Sequence, residues 1–367
     1  MIPSRVACVV GARPNFMKVA PVYAALTRAG FATRLVHTGQ HYDAKMSSVF
    51  FDDLGMPRPD AFLGVGSGNH AEQTAAILQK FDADVAQWQP DLVLVAGDVN
   101  STIACALVAA KRNIAVGHIE AGLRSRDWTM PEEVNRVLTD ACSDMLLTPS
   151  RDADDNLRAE GVADWRIHFI GNCMIDSLRT HLARARELQT PQSLGLTPGQ
   201  YAVATLHRPS NVDEPERLAE ILRALGDVAR DVPVLFPIHP RTQKRIDDAG
   251  LQVPRDVRLV EPMGYLQFLG TMADAQVLVT DSGGIQEETT ALGVPCLTLR
   301  ANTERPITVT EGTNILLGLD PTTIAPAVAE IRAGHSKQGR VPEGWDGHAA
   351  DRVVETLRAG IRTLREG

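Results

Sequence analysis

Short apolar runs recur along the whole chain, and many of them end in residues that carry chemistry rather than packing. In the first half the runs are 5–10, 33–37, 92–96, 115–118, 145–148 and 167–170. In the second half they are 201–206, 234–238, 257–259, 275–280 and 296–299, and stretches with helical spacing such as 71–87 and 102–112 lie between runs. Runs of this length fit strands buried on both faces, and their alternation with helices predicts βα units around parallel sheets. Arg13 follows the first run, Asp98 the third and Glu120 the fourth. His207 with Arg208, then His239, then Asp281 with Ser282 follow runs of the second half. Ligands of open parallel sheets bind beyond the carboxyl ends of the strands, so two such sheets facing each other would gather these residues around one cleft.

A chain of 367 residues exceeds one ordinary core, which makes two domains the expectation. Segment 189–200, with two prolines and two glycines, reads as a surface connection near their boundary, and the helical stretch 174–187 leads into it. The predicted division is an N-terminal α/β domain over 1–170 and a C-terminal one over 171–351. The closing helical stretch 349–365 has Val353, Val354, Leu357, Ile361 and Leu364 at helical spacing, and the C-terminal segment 352–367 is expected to pack back on the first domain.

The net charge of −8 argues against a nucleic-acid partner, since phosphate backbones select basic faces. Five scattered cysteines without a Cys-x-x-Cys point to a reducing compartment. The first apolar run is broken at once by Gly11-Ala12-Arg13-Pro14, which does not suit a secretory leader, and no stretch has the apolar length of a membrane span. A cytoplasmic protein is the expectation.

Several local patterns suit an anionic, phosphate-bearing ligand, each with a plainer explanation. Thr280-Asp281-Ser282-Gly283-Gly284-Ile285-Gln286-Glu287-Glu288 leaves a strand and enters a helix. Its glycines permit close backbone approach, its amides suit phosphate, and Glu288 a turn later suits a ribose hydroxyl. A turn capped by Asp281 or Ser282 would explain the same residues. Gly64-Val65-Gly66-Ser67-Gly68-Asn69 misses the dinucleotide fingerprint, because Asn69 stands where the third glycine belongs, and it reads as a loop. Asp98, Glu120 and Glu132 form a carboxylate set of the kind that moves protons, or else ion-pair with Arg124 and Arg136. Arg13 and Lys18 put two cations beside a strand-to-helix turn. The histidines show no metal-ligand spacing, and no metal is expected.

The joint order of these patterns is far more specific than any one of them. Gly11-Ala12-Arg13-Pro14-Asn15-Phe16-Met17-Lys18, Thr38-Gly39-Gln40-His41-Tyr42, Gly97-Asp98-Val99-Asn100-Ser101-Thr102 and Gly117-His118-Ile119-Glu120-Ala121-Gly122-Leu123-Arg124 come first. Pro131-Glu132-Glu133-Val134-Asn135-Arg136, His207-Arg208-Pro209-Ser210-Asn211, the Asp281 turn and Thr303-Glu304-Arg305-Pro306 complete the series. In this order the chain resembles, over essentially its whole length, the non-hydrolysing UDP-N-acetylglucosamine 2-epimerase family. The resemblance implies two Rossmann-like domains facing across a cleft, the GT-B arrangement, and a homodimer. It implies reversible C2 epimerisation of a UDP-sugar by elimination and return of UDP through a 2-acetamidoglucal, with no cofactor and no metal. By the same resemblance Asp98, Glu120, Glu132 and His207 are the catalytic candidates. Arg13, Lys18, Arg136, Arg208, His239, Ser282, Gly283, Gly284, Glu288 and Arg305 are the substrate and UDP-binding candidates. Glu133 is left out of the catalytic set.

Two departures bear on details. Activated family members typically carry Gln-His-Arg and His-Arg-Arg-Glu-Asn, where this chain has Gln40-His41-Tyr42 and His207-Arg208-Pro209-Ser210-Asn211. Weak or absent activation by a second UDP-N-acetylglucosamine is therefore expected. Relatives with a similar frame act on UDP-2,3-diacetamido-2,3-dideoxyglucuronate, which is the alternative substrate. A hydrolysing epimerase, a glycosyltransferase of the same fold and a nucleotide-sugar-binding module are the remaining alternatives.

Overall fold

The apolar runs form strands because both faces of each sheet are covered by helices, and a strand in that setting can be apolar throughout. A computed structural model describes residues 1–40 and 51–366. The chain divides into two units, Met1–Thr180 together with Glu343–Gly367, and His181–Pro342.

The first unit is built on seven parallel strands, β1 (Arg5–Val10), β2 (Ala32–His37), β3 (Ala61–Phe62), β4 (Leu92–Ala96), β5 (Ala115–Ile119), β6 (Met145–Thr148) and β7 (Ile167–Phe169). Their spatial order is β3-β2-β1-β4-β5-β6-β7. Every residue of β4 and β5 is buried. Ile77, Phe81 and Val85, four apart on the helix His70–Trp88, pack with Val9, Val36, Val93 and Val95 of the sheet. Each such side chain contributes roughly 1.5–3 kcal/mol by leaving water. The second unit has six parallel strands, β8 (Ala202–Thr205), β9 (Val234–Pro237), β10 (Val257–Val260), β11 (Val277–Thr280), β12 (Cys296–Thr298) and β13 (Asn314–Leu316). Their order is β10-β9-β8-β11-β12-β13.

Both sheets therefore reverse direction of build-up at one place, between β1 and β4 in the first and between β8 and β11 in the second. This is the doubly wound Rossmann order, and the reversal opens a crevice at the carboxyl ends of the two central strands. That crevice is where the fold leaves backbone free for a ligand.

Several boundaries differ from those expected. The division falls at 180/181 and 342/343, rather than at 170/171 and 351/352, because the helix Cys173–Glu187 begins in the first unit and continues into the second. Segment 189–200 lies inside the second unit and contains the short helix Thr190–Ser193, whose Thr190 and Pro191 are buried. The closing helix spans Ala349–Ala359 and stops at Gly360, which takes φ +96°; the expected continuation to 365 is replaced by a short 3-10 turn, Leu364–Glu366. This helix packs on the helix Arg13–Arg28 of the first unit. Asn69 caps the helix His70–Trp88, its carbonyl accepting from the Glu72 amide at 2.9 Å. Among the described residues, no helix is long and apolar enough to cross a membrane.

Candidate active site

The β1/β4 reversal of the first unit brings together four of the expected residues. Helix Arg13–Arg28 begins right after β1, and from it Lys18 reaches Glu120, which follows β5; the two form a buried ion pair. Glu120 adopts φ +70°, a left-handed conformation that costs a non-glycine residue roughly 1 kcal/mol or more. Its amide and that of Ala121 both donate to Leu147 O of β6, at 3.0 and 3.2 Å, and hold the turn in place. Gly97, at φ +66°, borders this pair: a Cβ there would stand 3.0 Å from Lys18 Nζ and 3.2 Å from Glu120 Oε2. Glycine at 97 thus lets the ammonium and carboxylate lie directly against the β4 turn.

Asp98 is next in the chain, about a fifth exposed, and it accepts from Arg136 on the helix Pro131–Cys142. Glu132, on the first turn of that helix, is exposed. Glu133 points the other way. It is buried, accepts from the amides of Ser125 and Arg126 at 2.9 and 2.8 Å, and pairs with Arg136 at 2.7 Å. Burial pushes its carboxyl upward, but the Ser125 amide, Arg136 and the Arg126 amide outweigh that and leave it below the usual range. Glu133 is a loop clamp, with its carboxylate bonded to groups inside the protein. Arg124 is also spent, on Asp140 and Glu160. The side chain of Arg13 lies outside the described residues, as do His41, Tyr42 and Asp43. Gln40 is described and buried, its Oε1 accepting from the Ser101 amide and hydroxyl at 2.9 and 2.6 Å.

In the second unit the reversal lies between β8 and β11. Asp281 follows β11, is fully buried, and gathers the segment after β8 around itself. The amides of His207 and Arg208 and the Asn211 side chain donate to its carboxylate, and His207 Nδ1 lies 3.0 Å from Oδ1. Burial would raise the Asp281 carboxyl; His207, the Arg208 amide and Asn211 overcome it and hold the group below its ordinary value. With Nδ1 on Asp281, the half-exposed His207 presents its other nitrogen outward. Its ring stands 5.6 Å from that of His239, which caps the helix Pro240–Ala249 by accepting from the Arg241 amide at 3.1 Å. The sequence offers Asp281 as a strand-end site residue or, with Ser282, as a helix cap. Its role as the holder of His207 is not legible there, because the two are 74 positions apart.

Ser282 sits at the start of the helix Gly283–Leu292, whose first turn leaves amides unspent by the helix. Gly283 is needed for a second reason, since a Cβ there would overlap Arg305 and Glu304. Arg305 is itself buried between Glu304 and Glu287, the latter at 2.9 Å, and Arg300 pairs with Glu304 at 2.7 Å. Arg208 Nε donates to Asp281 O at 2.9 Å. Glu288 is buried next to Glu287, and burial, then the Glu287 charge, push its carboxyl up to about 8 against the opposing effect of Tyr265.

The sequence model of the UDP-N-acetylglucosamine 2-epimerase family matches residues 24–358. The chain belongs to this family. A UDP-N-acetylglucosamine 2-epimerase of Methanococcus maripaludis is 41% identical over 89% of this chain and 91% of its own length. The UDP-2,3-diacetamido-2,3-dideoxy-D-glucuronate 2-epimerase of Pseudomonas aeruginosa is 39% identical over 96% of this chain and 99% of its own. The crystal structure of Methanocaldococcus jannaschii UDP-GlcNAc 2-epimerase, in complex with UDP-GlcNAc and UDP, superimposes with a TM-score of 0.90 at 38% identity, covering 97% of this chain and all of that one. Membership fits what both units show, a Rossmann sheet with polar groups collected at its reversal.

Proposed function

We propose that the protein interconverts UDP-N-acetylglucosamine and UDP-N-acetylmannosamine. The carrying observation is the group at the β1/β4 reversal: Asp98 held by Arg136, and Glu120 held by Lys18 against Gly97. Two positioned carboxylates next to fixed cations suit proton removal and return at one carbon. The C2 hydrogen of the sugar has no neighbouring carbonyl, so abstraction has to be coupled to loss of the C1 substituent. A carboxylate takes the C2 proton, the electron pair becomes the C1=C2 double bond, and the C1–O bond breaks to release UDP. A phosphate oxygen of UDP then re-adds at C1, and a proton is delivered to the opposite face of C2. No net oxidation occurs, so the sequence needs no hydride carrier.

Asp98, Glu120 and Glu132 are assigned to proton transfer, and His207, oriented by Asp281, to the departing phosphate. Ser282, Gly283 and Gly284 receive the diphosphate at the helix start, with Arg13, Lys18, Arg136, Arg208, His239 and Arg305 as the cationic and imidazole groups and Glu288 on the ribose. The same reading makes the working enzyme a cytoplasmic homodimer whose product feeds cell-surface polysaccharide synthesis. The Pseudomonas relative supports a second substrate, the 2,3-diacetamido uronate, for the same chemistry.

Incubation with UDP-N-acetylglucosamine in deuterated buffer, followed by NMR, tests the assignment. Deuterium at C2 of UDP-N-acetylmannosamine is the expected result, and Glu120→Gln and Asp98→Asn should each slow it by roughly 10²–10⁴-fold while UDP still binds. Faster turnover of the uronate in a parallel reaction would move the substrate to the second reading. Free N-acetylmannosamine with UDP would mean hydrolysis. Absence of both exchange and product, with UDP bound, would reduce the protein to a binding module.

A further inference from the structure

His118 lies in β5, two residues before Glu120, and none of its surface reaches solvent. Both of its ring nitrogens are engaged. Nε2 lies 2.8 Å from Gly97 O, and Nδ1 lies 2.6 Å from Asp140 Oδ1. A carbonyl oxygen can only accept, so Nε2 carries a hydrogen. The Asp140 carboxylate already accepts from Arg124 at 2.7 Å and from the Gly122 amide at 3.1 Å. Burial, which would raise this carboxyl, is outweighed by His118 and Arg124, which hold it below its ordinary value. The ring is thus held at both nitrogens, by a carbonyl on one side and a buried carboxyl on the other.

The contacts made by this ring and its partner fall on the two turns that carry the proposed proton-transfer groups. Three successive carbonyls of the β4 turn are each held by a side chain from elsewhere. Ala96 O accepts from Asn15 at 2.7 Å and Thr102 at 2.8 Å, Gly97 O from His118, and Asp98 O from Asn135 at 2.9 Å. On the other side, Asp140 holds the Gly122 amide, in the turn that starts with the left-handed Glu120. The pair His118–Asp140 thus spans from one turn to the other.

We propose that His118 is a positioning residue: a buried ring, bonded at both nitrogens, that fixes the Gly97–Asp98 turn relative to the Glu120 turn. Its kinetic consequence rests on the epimerase reading, whereas its two bonds do not.

Two side chains separate its two bonds. An asparagine amide imitates Nδ1 and keeps the bond to Asp140; a glutamine amide imitates Nε2 and keeps the bond to Gly97. His118→Asn should lower kcat about 100-fold, as a misplacement near 1 Å does, with KM changed less than about threefold. His118→Gln should recover about a tenth or more of the wild-type kcat. Asp91→Ala is the control for lost stability. It removes bonds to Ser4 N, Ser4 Oγ and Arg5 N at the amino-terminal end of the same sheet, and should leave kcat intact. In ¹⁵N spectra of the histidine-labelled wild type, His118 Nε2 should resonate as protonated, as its bond to Gly97 O requires. An unprotonated Nε2 would overturn that bond and with it the link between the two turns. A folded His118→Asn with wild-type kcat, or a glutamine variant no better than the asparagine one, would overturn the positioning role. If the wild type exchanges no C2 deuterium, the epimerase reading fails, and the nitrogen spectra still decide the ring's state.

Discussion

Glu288 shows how a single buried group couples this fold to pH. Burial first, and then its neighbour Glu287, push its carboxyl up to about 8, so at neutral pH the native group keeps its proton. The unfolded chain releases that proton near 4.5. Because the folded value is the higher one, the stabilisation is complete below about 4.5 and is lost as pH rises towards 8. Glu288→Gln cannot titrate and should flatten this slope. Between pH 6 and 8 the wild-type Tm should fall on the order of 5 °C more than that of the variant, as seen by calorimetry. Parallel pH profiles would rule the assignment out. Glu288 could be picked out as a site candidate from its place after the Gly-Gly turn, but its protonation could not. That depends on burial, which outweighs the opposing effect of Tyr265 and which no local pattern carries. The same holds for Arg305, a UDP-binding candidate by resemblance, which the fold surrounds with Glu304 and Glu287.

At the scale of an element, the helix Pro131–Cys142 stands out for a buried stripe that is ionic instead of apolar. Glu133, Arg136 and Asp140 are spaced three and four apart, lie on one face, and are all buried. The stripe serves three customers: the 125–126 loop through Glu133, Asp98 through Arg136, and the His118 and Gly122 region through Asp140. Removing Glu133 should therefore be a structural lesion. Glu133→Ala is expected to cost about 3 kcal/mol in denaturant titration, since it orphans two amides and part of a guanidinium. C2 exchange should stay within about tenfold of wild type, against the far larger loss for Glu120→Gln. A stably folded Glu133→Ala as inactive as Glu120→Gln would return Glu133 to the catalytic set. Helix and strand periods made most elements legible in advance, and the βα alternation placed Asp98, Glu120 and Asp281 just beyond strands. The missed strands, Ala61–Phe62 and Asn314–Leu316, have two and three residues, too few to show a period. Nor does an amphipathic template anticipate a buried stripe of charges, since their partners come from β4, β5 and the loop beyond.

For the molecule as a whole, the two units repeat one strand order but close differently along the chain. The second is continuous, whereas the first is completed only by Glu343–Gly367. That tail is deeply embedded. Trp345 is buried and its indole donates to Pro149 O at 2.9 Å, while Val353, Leu357 and Ile361 are buried beside the helix Arg13–Arg28 or the N-terminus. Asp176 accepts from the Ala349 and Ala350 amides at 3.1 and 2.7 Å, and Leu364 N donates to Asp144 at 2.7 Å. Four fully buried apolar side chains at roughly 1.5–3 kcal/mol each sum to about 6–12 kcal/mol, which matches the entire net stability of a typical domain. A chain ending at Pro342 should therefore lose the first unit while keeping the second, whose six strands all lie within 181–342. Hydrogen exchange followed by mass spectrometry reads this directly: amides of β1 to β7 should exchange as in an unfolded chain, and those of β8 to β13 should stay protected. Persistent protection of β1, β4 and β5 in the truncated chain would show that the first sheet holds without its returning segment, and that the burial of Trp345 and its neighbours contributes far less than their area implies.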